Sequence, residues 1–214
     1  MPNVYEQKYV TAQTFDESKV ILGDILVKTE PVPFQRIPIK YKYDGGIGPL
    51  IIRTHEMFSF GLCETRDQKT GKVEGYSMPF VAYDNKARKQ PEDECFINMV
   101  ESLTSTIRNK VGTDKVMSQI GKTRRKKVDV EALSLMKNNV KKPDAAPVMF
   151  VKLKTEYGEH PPKIITSFYR KTTPSERDRF ENRSIVKMKD PLNYLKKKCI
   201  IIGGIAIESM FIGG

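Results

Sequence analysis

Cationic and aromatic side chains alternate with apolar ones at two places in the chain. In Val148-Met-Phe-Val-Lys-Leu-Lys154 an extended backbone puts Phe150, Lys152 and Lys154 on one face and Met149, Val151 and Leu153 on the other, because successive side chains of a strand point to opposite sides. In Arg36-Ile-Pro-Ile-Lys-Tyr-Lys-Tyr43 the same alternation sets Ile37, Ile39, Tyr41 and Tyr43 against Arg36, Lys40 and Lys42. Rings that stack on bases contribute about 1–3 kcal/mol per base, while cations beside them track the phosphates. The spacing therefore nominates Lys40, Lys42, Arg53, Lys152, Lys154 and Arg170 as the cations of a groove, with Tyr76, Phe150 and Tyr169 as stacking platforms. Arg124, Arg125, Lys126 and Lys127, in a basic stretch, are nominated as further phosphate contacts. Alternating lysines also protect a strand edge from pairing with another chain. Phe58, Phe60 and Leu62 read as core, and the groove requires the 36–83 and 148–170 regions to come together.

Other chemistries find no pattern. Gly121-Lys122-Thr123 has the ending of a phosphate-binding loop, but the G-x-x-x-x-G-K-T spacing needs glycine where Val116 stands. His55-Glu56 fails H-E-x-x-H because position 59 is serine, and His160 precedes two prolines. Both histidines read as surface or turn residues. Cys63, Cys95 and Cys199 lie far apart without C-x-x-C spacing, which suggests neither a disulfide framework nor a zinc cluster. No carboxylate pairing stands out on the strands, so the chain reads as non-enzymatic, with no cofactor and no metal.

The totals agree with an anionic partner. With 37 Lys and Arg against 26 Asp and Glu, the 214 residues carry a formal charge of +11, a property of partners and solubility and not of fold. At 39% hydrophobic residues the chain can bury a core. No apolar run is long enough to span a bilayer, and the first residues lack the apolar stretch of a signal peptide, so a soluble, intracellular protein that does not engage a membrane is expected. Trp is absent, which leaves base stacking to Tyr, Phe and Arg.

Elements must place these side chains. Residues 1–19 read as a loosely attached arm, and residues 20–214 as one domain. A first strand is expected over 20–28 and a second over 36–43, with Pro38 marking an edge or a bulge because it cannot donate to the ladder. A Gly-rich turn over 44–49 leads to strands over 50–53 and 57–64. A hairpin loop over 68–72 returns the chain through Tyr76, Met78, Phe80 and Ala82. The period then changes: Phe96, Met99, Val100, Leu103 and Ile107 form a helical stripe that starts behind Pro91 and Glu92-Asp93-Glu94 and ends near Gly112. A weaker helix is expected over 129–139, which makes 91–140 a helical insertion. Strands return over 148–154 and 163–170, followed by a charged loop over 171–183, a helical turn over 190–195 and one long or two short strands over 199–212. The fold class is mainly β with a helical insertion, an antiparallel barrel or curled sheet. The abrupt apolar ending predicts that the natural chain runs beyond Gly214.

Gly48-Pro-Leu-Ile-Ile-Arg-Thr54, Met57-Phe-Ser-Phe-Gly61, Gly75-Tyr-Ser77 and Cys199-Ile-Ile-Ile-Gly-Gly-Ile-Ala-Ile-Glu-Ser-Met-Phe-Ile-Gly213 together resemble single-stranded DNA-binding proteins of nucleocytoplasmic large DNA viruses, of the African swine fever virus type. The resemblance implies an OB-like barrel that coats single-stranded DNA without sequence preference during viral replication, recombination or repair. It supplies no contact residues, and the acidic tail with which some such proteins end is missing here. The partners expected are single-stranded DNA or RNA, further copies of the chain along that strand, and replication proteins. The setting implied is the host cytoplasm or nucleus, at the viral replication site. The competing expectation is a basic virion or scaffold protein that meets nucleic acid or an acidic partner by charge alone.

Overall fold

A computed structural model describes residues 9–28, 34–83, 89–113, 133–138, 142, 144–156, 158, 160–173 and 185–212. Its strands are β1 (Val20–Leu22), β2 (Leu26–Lys28), β3 (Phe34–Tyr43), β4 (Gly46–Arg53), β5 (Met57–Ser59), β6 (Cys63–Arg66) and β7 (Val73–Val81). Helix α1 (Pro91–Val111) precedes β8 (Val148–Lys152), β9 (Tyr169–Lys171), β10 (Ile185–Lys187), β11 (Cys199–Ile201), β12 (Gly204–Ile207) and β13 (Ser209–Ile212). The fold is mainly β with one helix among the described residues, and its pairings between named strands are antiparallel. The sheets are open: no strand path returns to its start, so of the two expected forms, a barrel or a curled sheet, a closed barrel is not seen among the described residues. The chain divides into two compact units, one of Met1–Met57, Ala82–Pro147 and Ile201–Gly214, the other of Phe58–Val81 and Val148–Ile200.

In the first unit, β3 is the central strand. Its alternation is the one expected, with Ile37, Ile39 and Tyr41 buried and Arg36, Lys40 and Lys42 exposed. Pro38 does not mark an edge, because β1 and β2 lie against β3 and so do β4 and β13. The neighbours are interrupted instead. Leu22 stands opposite Ile39 and Leu26 opposite Arg36, so the partner chain spends an extra residue around Gly23-Asp24-Ile25. The bulge thus falls where proline offers no donor, and it splits the single strand expected over 20–28 in two. Beyond Pro38 the pairing passes from β4 to β13, and the Ile39 N–H donates to the Glu208 carbonyl at 2.8 Å. Tyr43 pairs with Gly46, which leaves Asp44-Gly45 as a two-residue turn, the commonest hairpin solution. Val10 is buried and bridges Ile52, and the Asp16 N–H donates to the Tyr41 hydroxyl at 3.0 Å, so the described part of the N-terminal segment is bonded to the sheet.

Helix α1 begins and ends as its sequence predicts. Pro91 occupies the first turn, and Asp93 accepts from the Gln90 N–H at 2.7 Å, so the carboxylate closes an otherwise open backbone donor. Its buried stripe is Phe96, Met99, Val100, Leu103, Ile107 and Val111. His55 lies in the link between β4 and β5, as a turn residue, and is half-buried there: it stands 2.8 Å from Asp93 Oδ1 and presents its ring edge-on to Phe96. The described part of the second expected helix, residues 133–138, is irregular. No helix among the described residues is long and apolar enough to cross a membrane.

In the second unit, β7 is flanked by β6 and β5 and by β8. Phe58 stands opposite Val81, and Cys63 opposite Ser77. Val81 and Ser77 share one face of β7, so Phe58 and Cys63 do too, although one is at an even and the other at an odd position. The reversal occurs at Gly61, whose φ of +87 breaks the single strand expected over 57–64. Leu62 is thereby turned into the core at 0% exposure, while Phe60 stays outside at 48%. Other expected strands are also shorter: 163–170 contributes a single bridge at Ile164 before β9, and 199–212 forms three strands. The expected helical turn is present as a 3-10 turn over Pro191–Tyr194, capped by Asp190.

The hairpin loop before β7 yields a pH prediction. Asp67 Oδ1 accepts the Lys69 and Thr70 N–H groups at 3.0 and 2.5 Å, and the bonds from Thr70 hold its carboxyl below its ordinary value of 3.8. A depressed carboxylate stabilises the folded loop above that ordinary value and stops doing so as pH falls through the folded one. The Lys69 and Thr70 amides should lose hydrogen-exchange protection on acidification below about pH 4 before the β7 amides do. Simultaneous loss would show that the loop opens only with the sheet.

Candidate nucleic-acid interface

The strand β8 shows the expected alternation. It pairs with β7 in the register Ser77–Lys152, Pro79–Phe150 and Val81–Val148. Met149 and Leu153 are buried on the inner face, whereas Phe150 is 53% exposed and Lys152 and Lys154 are exposed on the outer one. Lys154 lies just beyond the strand with its backbone fixed, since its N–H donates to Thr166 Oγ1 at 2.8 Å and its carbonyl accepts from the Ile165 N–H at 2.9 Å. One ring and two ammonium groups thus project from a short, held segment.

The face extends across the sheet in a way the sequence reading missed. Phe58 lies across β7 from the Phe150 strand, and the Phe58 and Phe60 rings meet edge to face with centroids 5.1 Å apart. Phe58 and Phe60, read as core, are half-buried and exposed respectively. The glycine between Phe60 and Leu62 is the signal in the sequence, because a positive φ there reverses the alternation.

Tyr76 is not a platform. At 2% exposure its ring is closed to a base, and burial pushes its phenol up, with the Glu64 carboxylate adding to the shift. Tyr169 and Arg170 cannot act on one surface, because they are consecutive in β9 and alternate. Tyr169, 61% exposed, stands opposite Lys187 in β10, and Lys171 opposite Ile185, so the exposed face of this ribbon carries Tyr169, Lys171 and Lys187. Arg170 takes the other face with Val186. The sequence reading ends the strand at Arg170 and expects none over 185–187, so it nominates neither Lys171 nor Lys187.

Lys40, Lys42 and Arg53 belong to the first unit. Lys40 and Lys42 project from β3 opposite Pro49 and Ile47 of β4, on an exposed face. Arg53 donates from Nη1 to the Tyr9 hydroxyl at 2.7 Å, and its guanidinium lies over the Tyr9 ring, 5.2 Å from the centroid. Arg53 and Tyr9 border an open cleft of about 190 Å³ together with His55 and Phe96. Arg124, Arg125, Lys126 and Lys127, like Gly121-Lys122-Thr123, lie outside the described residues. Among the described residues no group of three or more His, Cys, Asp or Glu is placed to hold a metal ion.

No solved structure matches the chain. Among curated proteins it is 24% identical over 210 residues to the "Early 31 kDa protein" of Frog virus 3 (isolate Goorha), an alignment spanning 94% of this chain and 72% of the viral one. A family described as "Protein of unknown function (DUF2738)" matches residues 14–214. With nearly its whole length covered, the chain belongs to the DUF2738 family.

Proposed function

We propose that this protein binds single-stranded DNA without sequence preference, as a non-enzymatic component of viral DNA replication, recombination or repair. One observation carries the reading: exposed Phe150 shares the outer face of β8 with Lys152, and the held, exposed Lys154 follows two residues on. A duplex hides the faces of its bases, whereas a single strand offers them to an aromatic ring while lysines neutralise its phosphates. The net charge of +11 supplies long-range attraction for the same partner. Kinship with an early protein of a virus supports a place at viral replication, in host cytoplasm or nucleus. Other copies of the chain along the strand, and replication proteins, are the further partners of this reading.

Titration of labelled single-stranded and duplex oligonucleotides at several salt concentrations tests it. Single strands should bind more tightly, with a salt slope of about −0.7 per neutralised phosphate. Phe150→Ala should cost about 1–3 kcal/mol of binding, and Lys152→Ala with Lys154→Ala should flatten the slope by about 1.4. Equal or tighter duplex binding would overturn the reading. An unchanged affinity in Phe150→Ala with steep salt dependence would instead identify a charge-only scaffold, and magnesium-dependent loss of the oligonucleotide would identify a nuclease.

A further inference from the structure

A second cationic segment is locked beside an exposed ring on the second unit. Lys196, Lys197 and Lys198 are consecutive and exposed, in the turn between the 3-10 segment and β11. The turn lies directly on the backbone of residues 60–62. Leu62 forms a parallel bridge with Leu195, its N–H donates to the Tyr194 carbonyl at 3.0 Å, and its carbonyl accepts from the Lys196 N–H at 2.9 Å. The Lys197 N–H donates to the Tyr194 carbonyl at 3.2 Å. Contact at Gly61 is so close that a β-carbon there would stand 2.2 Å from the Lys197 carbonyl oxygen. Lys196 takes a φ of 54, the left-handed conformation that turns the chain back. Phe60, 48% exposed, immediately precedes this junction, and its ring rests edge to face on Phe58.

We propose that Phe60 and the Lys196–Lys198 turn form a second contact point for the same single strand, with a base on Phe60 and phosphates on the three lysines. This rests on the reading of the protein as a single-strand binder, and it extends the contact beyond Phe150, Lys152 and Lys154. Fixing the turn by three backbone hydrogen bonds lowers the entropy lost when its lysines meet a phosphate chain. Phe60, just past β5, is an exposed ring like Phe150, and β5 and β8 flank β7 on opposite sides. A polymer that stacks on one ring and continues along the sheet reaches the second, and sequence plays no part in either contact.

The test uses the full chain and labelled oligothymidylate. A variant carrying Lys196→Asn, Lys197→Ala and Lys198→Ala removes three charges, with asparagine at position 196 because it tolerates positive φ. It should flatten the salt slope by about 2, and Phe60→Ala should weaken binding by about 5–150-fold. In the unaltered protein, bound oligothymidylate should shield Lys196, Lys197 and Lys198 from acetylation, read by mass spectrometry, which guards against a variant that fails to fold. Tight binding by the unaltered protein without shielding, or with an unchanged slope in the triple variant, overturns the second contact point alone. Absence of single-strand binding by the unaltered protein overturns the reading beneath it.

Discussion

Phe96→Ala is expected to remove about 3–5 kcal/mol of stability from the unit that contains α1. Phe96 is 1% exposed and lies on the helical stripe with Met99, Val100, Leu103 and Ile107. Interiors are close-packed, so deleting a ring costs its transfer free energy and leaves a cavity that neighbours fill only in part. The contact with His55 makes the site harder to collapse, because the imidazole is held 2.8 Å from Asp93 on the same helix. Urea unfolding followed through hydrogen exchange of the α1 amides measures the effect within that unit. A loss below about 1 kcal/mol would mean that the stripe is not what anchors the helix.

Gly61→Ala should be nearly as damaging, by a different route. Positive φ costs a non-glycine residue about 1–3 kcal/mol, and displacing the backbone that meets the new methyl group costs about 1–3 kcal/mol more. The obstructing atoms, the carbonyl oxygens of Lys197 and Tyr194 and the Lys197 nitrogen, stand within 2.2 to 2.6 Å of the β-carbon position. All three are backbone and cannot rotate aside. Gly71→Ala is the control, since Gly71 also has positive φ, at 69, but nothing lies within 4 Å of its β-carbon position. Thermal unfolding of the two variants separates strain from collision: Gly71→Ala should show only the conformational cost, and equal losses would leave the collision at Gly61 without weight. If Gly61→Ala folds, exchange at the Leu62 and Lys196 amides should rise first, because those donors join the two segments.

Local chemistry was legible where one rule decides the outcome. The span of α1 follows from Pro91, the acidic first turn and a stripe of period 3.6, and all three act within the helix itself. The outward set on β8 follows from alternation alone, as does that on β3. The reading fails wherever a residue's role depends on a distant partner. Tyr76 and Tyr169 are chemically alike, yet the first lies in the middle strand of a sheet and the second on a two-stranded ribbon. Phe60 and Leu62 share a parity that the backbone at Gly61 cancels. Pro38 sits in a central strand because Gly23-Asp24-Ile25, some 14 residues earlier, makes room for it by bulging. The backbone of the turn at Tyr194 and Lys197 comes so close to residue 61 that only glycine fits there, a constraint that alternation along the strand does not show.

The pairing of β4 with β12 sets an order of events in synthesis. Arg53 meets Gly204 and Leu50 meets Ile207, so the first unit draws its strands from both ends of the chain and its helix from the middle. On a ribosome, β3 and β4 emerge with one flank unmatched and must wait for roughly 150 further residues. At about 5–20 residues per second the wait lasts on the order of ten seconds. The second unit is itself split, and β8 is made well after β7, so neither unit closes early. Isoleucines of β3 and β4 are thus exposed during that interval together with the cationic face of β3, and like charge on Arg36, Lys40 and Lys42 disfavours pairing between nascent copies until β12 and β13 arrive.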